Sequence, residues 1–407
     1  MRMRGAKAAE PSSGERLYRE VEEYDALGEH RVSGPGDTAA TAWLSRKMSA
    51  AGLTVSRQSF PYPLYEPTTC TLTVDAQTVT TFPGWMPVMT PVGGIAAPLA
   101  PLGAGDPAGK IAVMDYAYGR APGWAAPGPG KAVEDALEQG ALAAVVITEG
   151  PTGDVIALNA DAAGLSWKKP VVIAAGRDGA ALKAAADGGR KAVLVNRGRL
   201  NAAAKADNVI GRRKGSGNTV VVTTPKSGWF HCAGERGTGI ALFLELARWL
   251  VHETDCDLLF GSSSAHEIGY LGSAYFHKRY APPADRVRLW LHIGANAAVQ
   301  ATTIGADGVK FLGKPAMGRL TASPQLVASA ETAFHGLPGY EKPVVFSAGT
   351  AVGELEVFQK GGYGAVVGLL GAWSLFHTED DRARVATTPD ILEAVDGALK
   401  AFLRSQL

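Results

Sequence analysis

The segment from Thr219 to Gly272 constrains the fold most, because its residues follow the order strand, loop, helix, strand and loop. A β-branched run follows Asn218, and a loop rich in glycine and charge then leads into an apolar helix that begins near Ile240. The next strand begins at Asp257 and leads into a second polar loop. Such alternation is typical of an α/β sheet. Ligands bind beyond the carboxyl ends of strands in open α/β sheets, so the two loops are expected to carry the chemistry.

The remaining chain predicts two kinds of structure. Residues 1–71 read as helices followed by the first strand of a catalytic domain. Residues 72–200 contain short β segments, small residues and prolines, which indicate an inserted, non-catalytic β-rich domain. Residues 201–407 return to alternating strands and helices and complete the catalytic domain. We therefore predict an α/β fold with a mixed, mostly parallel sheet flanked by helices, into which a β-rich domain is inserted.

The composition argues against several classes of partner. Forty basic and 39 acidic residues give a net charge of +1, which provides no electrostatic basis for binding nucleic acid or an anionic membrane. No apolar run is long enough to span a membrane, and residues 1–10 lack the apolar core of a secretory signal. Three cysteines are too few for a disulfide framework and favour reduced thiols, so we expect a cytoplasmic protein. Assembly into a homo-oligomer is left open.

Five side chains form the pattern that predicts chemistry. Three histidines each lie at or just past the end of a predicted strand, on a rim shared with two glutamates: His266, His292, His377, Glu235 and Glu267. Imidazole and carboxylate are the ligands of a catalytic zinc, which keeps an open position for water. Each histidine alone is explained as a hydrogen-bonded rim residue. The joint pattern favours a metal site.

The sequence resembles the bacterial leucyl aminopeptidase and glutaminyl cyclase family of zinc hydrolases over residues 205–400. The motifs that carry the resemblance are Asn208-Val-Ile-Gly, Leu244-Glu-Leu-Ala-Arg, Glu267-Ile-Gly-Tyr-Leu-Gly-Ser and Phe376-His-Thr-Glu-Asp-Asp. The inserted segment, with Gly109-Lys-Ile-Ala-Val-Met-Asp and Gly140-Ala-Leu-Ala-Ala-Val-Val-Ile, is similar to the protease-associated domain of some family members. The resemblance implies a zinc hydrolase fold with such an insertion.

The metal motif departs from the family pattern. The family's first loop supplies a His-x-Asp motif, whose positions are Pro225 and Ser227 in this chain. Neither side chain replaces an imidazole ligand. The family's bridging aspartate corresponds to Glu235, its next aspartate ligand to His292, and its terminal histidine ligand to His377.

The family's Glu-Glu pair, a general base followed by a ligand, corresponds to His266 and Glu267. The resemblance therefore implies one zinc, or another single divalent ion, held by Glu235, Glu267 and His377. His292 is then a fourth ligand or a hydrogen-bond partner of the bound water, and His266 is the general base. In the competing arrangement His266 is a ligand beside His292 and His377, and Glu267 is the base.

A further set of residues is expected to bind the substrate. Arg236 follows Glu235 in a glycine-framed loop and is interpreted as a catalytic and substrate-binding residue, since a guanidinium binds a carboxylate through two hydrogen bonds. Trp229 and Phe230 are expected to wall the pocket. Glu354 matches a family loop that lines the pocket. Alternatively, Arg236 pairs with Glu235 or Glu354.

The leading functional hypothesis is a single-zinc hydrolase that cleaves an amide or related C–N bond of a small molecule or peptide. One alternative is a catalytically inert relative that binds a ligand in the same cleft. The other is a single-zinc transferase similar to glutaminyl cyclases. Loss of the His-x-Asp motif disfavours an ordinary two-zinc aminopeptidase.

Overall fold

The structure is a computed structural model that describes residues 12–84, 86–116, 123–125, 127–160 and 167–407. Its α-helices are α1 (Ser13–Asp25), α2 (Pro35–Ala50), α3 (Gly130–Glu138), α4 (Gly179–Asp187), α5 (Thr238–Glu253), α6 (Leu271–Tyr280), α7 (Val327–Ala333), α8 (Leu355–Gln359), α9 (Ala383–Ala386) and α10 (Pro389–Gln406). Short 3₁₀ turns span Gly176–Asp178, Ala284–Arg286 and Pro324–Leu326, and a π-helix spans Ala233–Gly237.

The strands are β1 (Thr54–Pro61), β2 (Leu64–Val74), β3 (Gln77–Pro83), β4 (Ile95–Pro101), β5 (Ile111–Tyr116), β6 (Ala143–Thr148), β7 (Val171–Ala175), β8 (Lys191–Asn201), β9 (Lys205–Arg213), β10 (Thr219–Pro225), β11 (Asp257–Ser263), β12 (Val287–Ile293), β13 (Gln300–Gly305), β14 (Gly308–Pro315), β15 (Gly318–Ala322), β16 (Val344–Val345) and β17 (Val366–Gly371).

Within the residues that the structure describes, eight strands form the central sheet, in the order β1-β9-β11-β10-β12-β17-β15-β16. The four strands β11, β10, β12 and β17 are parallel, and β9 and β15 pair antiparallel on either side of them. β10 is apolar on both faces because helices cover the sheet, and Val220, Val221 and Val222 are fully buried. The predicted mixed, mostly parallel sheet is confirmed.

Helix α5 anchors one face of the sheet. Its residues from Thr238 to Ala247 are buried, as expected for a helix that is apolar nearly all round. Glu245, which the apolar pattern leaves to face water, is instead 5 % exposed and pairs with Arg16 of α1 and Lys400 of α10. The charged side of α5 therefore joins three helices.

The inserted segment forms a closed barrel in the order β2-β3-β7-β6-β5-β4-β8. Its first and last strands, Leu64–Val74 and Lys191–Asn201, pair antiparallel along nearly their whole length. β2 therefore begins within the segment that the sequence pattern assigns to the catalytic domain. The barrel has its own apolar core, which includes Leu72, Val145 and Leu194. None of the helices in the described ranges is both long and apolar enough to cross a membrane.

Candidate functional site

The candidate residues lie on or next to loops that leave the carboxyl ends of parallel strands. Pro225 at the end of β10 pairs with Ser263 at the end of β11, and Thr223 pairs with His292 in β12. This register brings the three loops to the same edge of the sheet. The predicted ligand and base residues at this edge are all buried: Glu235, His266, Glu267, His292 and His377.

The backbone around the cleft is unusual at several positions. Glu235 and Arg236 lie on the π-helix, and π-helical turns are frequent at functional sites. Cys232, immediately before it, and His377 both have left-handed backbone angles, with φ of 41° and 62°. Such angles cost about 1–2 kcal/mol for a residue other than glycine, so the surrounding contacts must hold them in place.

Asp381 holds the π-helix in position. Its two carboxylate oxygens accept hydrogen bonds from the backbone N–H groups of Gly234 at 2.7 Å and Glu235 at 2.9 Å. Trp373 Nε1 donates to the same carboxylate at 2.9 Å. Sequence reasoning missed this role, although Asp381 is the last residue of the motif that begins at Phe376.

Arg236 lies between two of the predicted metal ligands. Its Nη2 is 2.6 Å from Glu235 Oε1 and 2.9 Å from Glu267 Oε1, and its Nε donates to the backbone carbonyl of Ser227 at 2.7 Å. All three charged side chains are excluded from solvent. Burial opposes ionisation of Glu235, but Arg236 and then His377 outweigh it and lower the pKa of Glu235 to about 2. A single guanidinium, that of Arg236, therefore stabilises the two buried carboxylates of Glu235 and Glu267.

His377 faces the same carboxylate. Its Nε2 is 3.4 Å from Glu235 Oε1, and its ring stacks on Phe376 with centroids 3.8 Å apart. Its Nδ1 donates to the carbonyl of Ala157 at 2.9 Å. A histidine fixed through Nδ1 presents Nε2 to the cleft.

A second group of polar residues lies beside the first. Nδ1 of His266 is 3.2 Å from Glu354 Oε1, and Ser263 Oγ donates to the same oxygen at 2.7 Å. Burial raises the pKa of Glu354, but the hydrogen bond from His266 and the charges of the nearby imidazoles lower it by more. The net pKa is below its ordinary value, so Glu354 stays ionised. His292 bonds Thr223 Oγ1 through Nδ1 at 3.1 Å, and burial lowers its pKa to about 4. His292 is therefore neutral near pH 7.

Several buried polar atoms at the cleft lack a well-aligned hydrogen bond within the described part of the chain. They are Glu235 Oε1 and Oε2, Arg236 Nη1, Glu354 Oε2 and His377 Nε2. Arg236 Nη2 nevertheless lies 2.6 Å from Glu235 Oε1 and forms an ion pair with it. An unmade hydrogen bond of this kind costs about 1–3 kcal/mol. Such clustering is typical of a site that receives a polar ligand.

A zinc ion in this cleft needs at least three protein ligands with free lone pairs. Both oxygens of Glu267 already accept hydrogen bonds, from Arg236 at 2.9 Å and from Ser227 Oγ at 2.8 Å. Each oxygen keeps a second lone pair, but the Arg236 guanidinium lies against both Glu235 and Glu267 and would repel a cation placed between them. Over the described ranges, no three His, Cys, Asp or Glu side chains are grouped so that they could hold a metal ion. As they stand, these residues do not fit the expected ion.

A pocket of about 770 Å³ opens beside the second group. Its walls come from both parts of the chain, and they include Asn159 and Ala160 after β6 and His266, Tyr270, His277, Glu356 and Lys360 of the catalytic domain. Of the predicted catalytic residues, His266 lines this pocket. The pocket walls carry the carboxylate of Glu356 and the ammonium group of Lys360, so the pocket suits a polar molecule.

Trp229 and Phe230, predicted to wall the pocket, lie in an apolar cluster between the catalytic domain and the barrel. Both pack against Phe82, with ring centroids 5.6 and 5.2 Å away. Trp229 Nε1 donates to Asn159 Oδ1 at 2.7 Å. The two aromatic residues therefore join the domains at one side of the cleft.

The inserted segment is joined to the cleft by backbone hydrogen bonds from the loop after β6. The N–H of Ala157 donates to the carbonyl of His377 at 3.0 Å, and the N–H of Ala160 donates to that of Glu267 at 2.9 Å. Gly269 in turn donates to the carbonyl of Ala160 at 3.1 Å. No residue-type signal in the sequence marks these positions, because they act through the backbone. The domain predicted to be non-catalytic thus forms backbone hydrogen bonds to two candidate site residues, His377 and Glu267.

A second buried cation lies next to the cleft. Lys226, between the two positions that match the His-x-Asp motif, forms an ion pair with Asp37 of α2. Ser264 Oγ donates to the other oxygen of Asp37 at 2.9 Å, and Tyr24 O–H donates to the carbonyl of Lys226 at 2.6 Å. The pair secures the loop between β10 and the π-helix.

The architecture defines the class: the chain has the fold of zinc aminopeptidases, and the resemblance noted in the sequence is confirmed at the level of fold. The structure of BSAP, a zinc aminopeptidase from Bacillus subtilis, is 19 % identical and superimposes with a TM-score of 0.75 over 97 % of this chain and 95 % of that chain.

Two other solved structures are similar. A peptidase M28 precursor from Shewanella amazonensis is 16 % identical, with a TM-score of 0.69 over 96 % of this chain and 94 % of that chain. Glutaminyl cyclase from Porphyromonas gingivalis is 10 % identical, with a TM-score of 0.50 over 97 % and 98 %. Neither a family sequence model nor a curated protein sequence matches the chain.

Proposed function

We propose that the chain is a hydrolase that cleaves an amide or related C–N bond of a small molecule or peptide, with His266 as general base. The observation that carries this proposal is the hydrogen bond between His266 Nδ1 and Glu354, at 3.2 Å, beside the 770 Å³ pocket. An ionised carboxylate on Nδ1 fixes the tautomer whose Nε2 accepts a proton. Ser263 Oγ donates a hydrogen bond to the same carboxylate and fixes its position.

The proton transfers follow from this geometry. Nε2 of His266 takes a proton from water as the water oxygen attacks the substrate carbonyl. The imidazolium, stabilised by Glu354, then returns that proton to the leaving nitrogen as the C–N bond breaks. No step is assigned to zinc, because Arg236 already pairs with two of its three expected ligands, Glu235 and Glu267.

The pocket supports a small, polar substrate. Glu356 and Lys360 line it, so a molecule with both an amine and a carboxylate finds a counter-charge for each. We also propose that the barrel is a protease-associated-like domain that limits substrate size, which its contacts through Asn159 and Ala160 support.

Mass spectrometry of reaction mixtures tests the hydrolase. Wild-type protein is incubated with mixtures of short peptides, aminoacyl amides and N-acyl amino acids, and gain of water is the expected product signature. His266→Gln removes the base and is expected to lower turnover about 100-fold or more. Glu354→Gln retains the shape but loses the charge that stabilises the imidazolium, and is expected to lower kcat with little change in KM. Glu253→Gln, at an exposed ion pair with Arg404, is the matched control.

Unchanged turnover in a folded His266→Gln variant would exclude this mechanism. Release of ammonia from an amino-terminal glutamine, without uptake of water, would identify cyclisation instead. Saturable binding of a ligand that is never converted would favour the alternative, a binding protein. The buried pairing of Arg236 with Glu235 and Glu267 supports that alternative, since it engages residues that a metallopeptidase keeps for its ion.

A further inference from the structure

Arg236 brings a fixed positive charge to the centre of the cleft. Its guanidinium contacts Glu235 at 2.6 Å and Glu267 at 2.9 Å, and the exposed fraction of each of these three side chains is at most 1 %. Two carboxylates this deeply buried require a cation between or beside them, because an isolated buried charge is strongly unfavourable. In a metallopeptidase a metal ion meets that requirement. In this chain the guanidinium meets it.

The surrounding contacts fix the guanidinium in this place. Nε donates to the carbonyl of Ser227 at 2.7 Å, and Ser227 Oγ donates to the second oxygen of Glu267 at 2.8 Å. Ser227 stands at the aspartate position of the family's His-x-Asp motif, so the residue at that position supports Arg236 and its partner Glu267 in this chain. A divalent ion placed between the same carboxylates would be repelled by the adjacent guanidinium at low effective dielectric.

We infer that Arg236 is a built-in replacement for the metal ion, and that the folded protein binds no zinc in this cleft. The arrangement of charges is then part of the polypeptide and does not depend on metal supply. Chelators should accordingly leave the structure intact. The inference is independent of the hydrolase proposal, because it concerns metal content and stability and is tested without any substrate.

Metal analysis of the wild-type chain is the first test. The protein is equilibrated with excess zinc, freed of unbound metal by gel filtration and measured by plasma mass spectrometry. We expect no stoichiometric zinc, and we expect the thermal midpoint to be the same with zinc and with EDTA. One zinc per chain that disappears in Glu235→Gln and His377→Ala variants would overturn the inference.

Arg236→Met provides the second test, since it removes the charge and retains an unbranched side chain. It leaves Glu235, Glu267 and His377 without the guanidinium, and a zinc ion that draws these three ligand-type side chains together could then take its place. We expect a lower thermal midpoint than wild type, a rise on adding zinc, and one bound zinc per chain. Arg248→Met is the matched control, because Arg248 also bridges two carboxylates but lies 29 % exposed; no zinc response is expected there.

A charge-balanced double variant covers the case in which Arg236→Met does not fold. Arg236→Met combined with Glu267→Gln removes one charge of each sign and is expected to fold without binding zinc. A wild-type thermal midpoint in Arg236→Met, together with no bound zinc, would contradict the inference, because the guanidinium would then have no cation role.

Discussion

At the scale of single residues, several candidate site residues are held in place by polar side chains that lie behind them. Ser263 and Glu354 stand behind His266, Ser227 stands behind Arg236, and Asp381 stands behind the π-helix. Such supporting residues keep a site in working geometry, and their loss acts through the residue that they hold. We therefore propose that they are positioning residues rather than catalytic ones.

Asp381→Asn is expected to lower the free energy of unfolding by about 2–3 kcal/mol. The substitution replaces one carboxylate oxygen by an NH2 group, which cannot accept a hydrogen bond from a backbone N–H. Gly234 and Glu235 would then compete for a single acceptor. Urea denaturation followed by fluorescence measures the change. Asp380→Asn, at the preceding residue, is the control and should leave the midpoint unchanged. Equal stability of both variants would show that the π-helix holds without this carboxylate.

At the scale of secondary-structure elements, ionic contacts join the helices on one face of the sheet. Glu245 of α5 accepts hydrogen bonds from Arg16 of α1, Lys400 of α10 and Arg248 of its own helix. Burial raises the pKa of Glu245, but Lys400 and Arg16 outweigh it and bring the pKa to about 2. The ionised form is thus preferred in the folded state, and protonation opposes folding.

The sign of the pH dependence follows directly. Because the pKa of Glu245 falls from 4.5 to about 2 on folding, its contribution to stability is complete above about pH 4.5 and is lost as the pH falls toward 2. Glu245→Gln should lower stability by about 1–2 kcal/mol near neutral pH, after allowing for solvent screening, and by much less near pH 3. Denaturant midpoints at both pH values measure this. Glu253→Gln should show no such difference; a parallel pH response in the two variants would refute the assignment.

At the scale of the whole molecule, the barrel and the sheet domain build the pocket together. Asn159 and Ala160 line one wall, His266 and Tyr270 the other, and Trp229 connects the two sides through its hydrogen bond to Asn159. The pocket is therefore a property of the docked pair of domains. A change at their contact should alter the pocket without altering either core.

Asn159→Ala leaves the indole N–H of Trp229 without this acceptor at 1 % exposure, which should cost about 1–3 kcal/mol. We expect faster amide hydrogen exchange at Ala157 and Ala160, with unchanged protection in the core strands of both domains. Asn201→Ala, on the exposed side of the barrel, is the control. Equal exchange rates at Ala157 and Ala160 in the two variants would show that the domains stay docked without this hydrogen bond.

Sequence patterns predicted the sheet because β10, α5 and β11 carry strong local periodicity and buried apolar residues. They also placed His266 and Glu267 at the carboxyl edge, since strand ends define that edge. The partners of Arg236 could not be ranked from the sequence. Its choice of Glu235 and Glu267 depends on how the π-helix turns the side chain inward, and no residue pattern specifies that rotation.

The contacts between the barrel and the cleft at Ala157 and Ala160 are made by main-chain groups. Substitutions at these two positions, proline excepted, retain the donor and acceptor that make the attachment. The attachment itself thus does not depend on residue type, but both alanines are buried and leave little room for a larger side chain. The outer face of the barrel can therefore change while these backbone contacts to His377 and Glu267 stay in place.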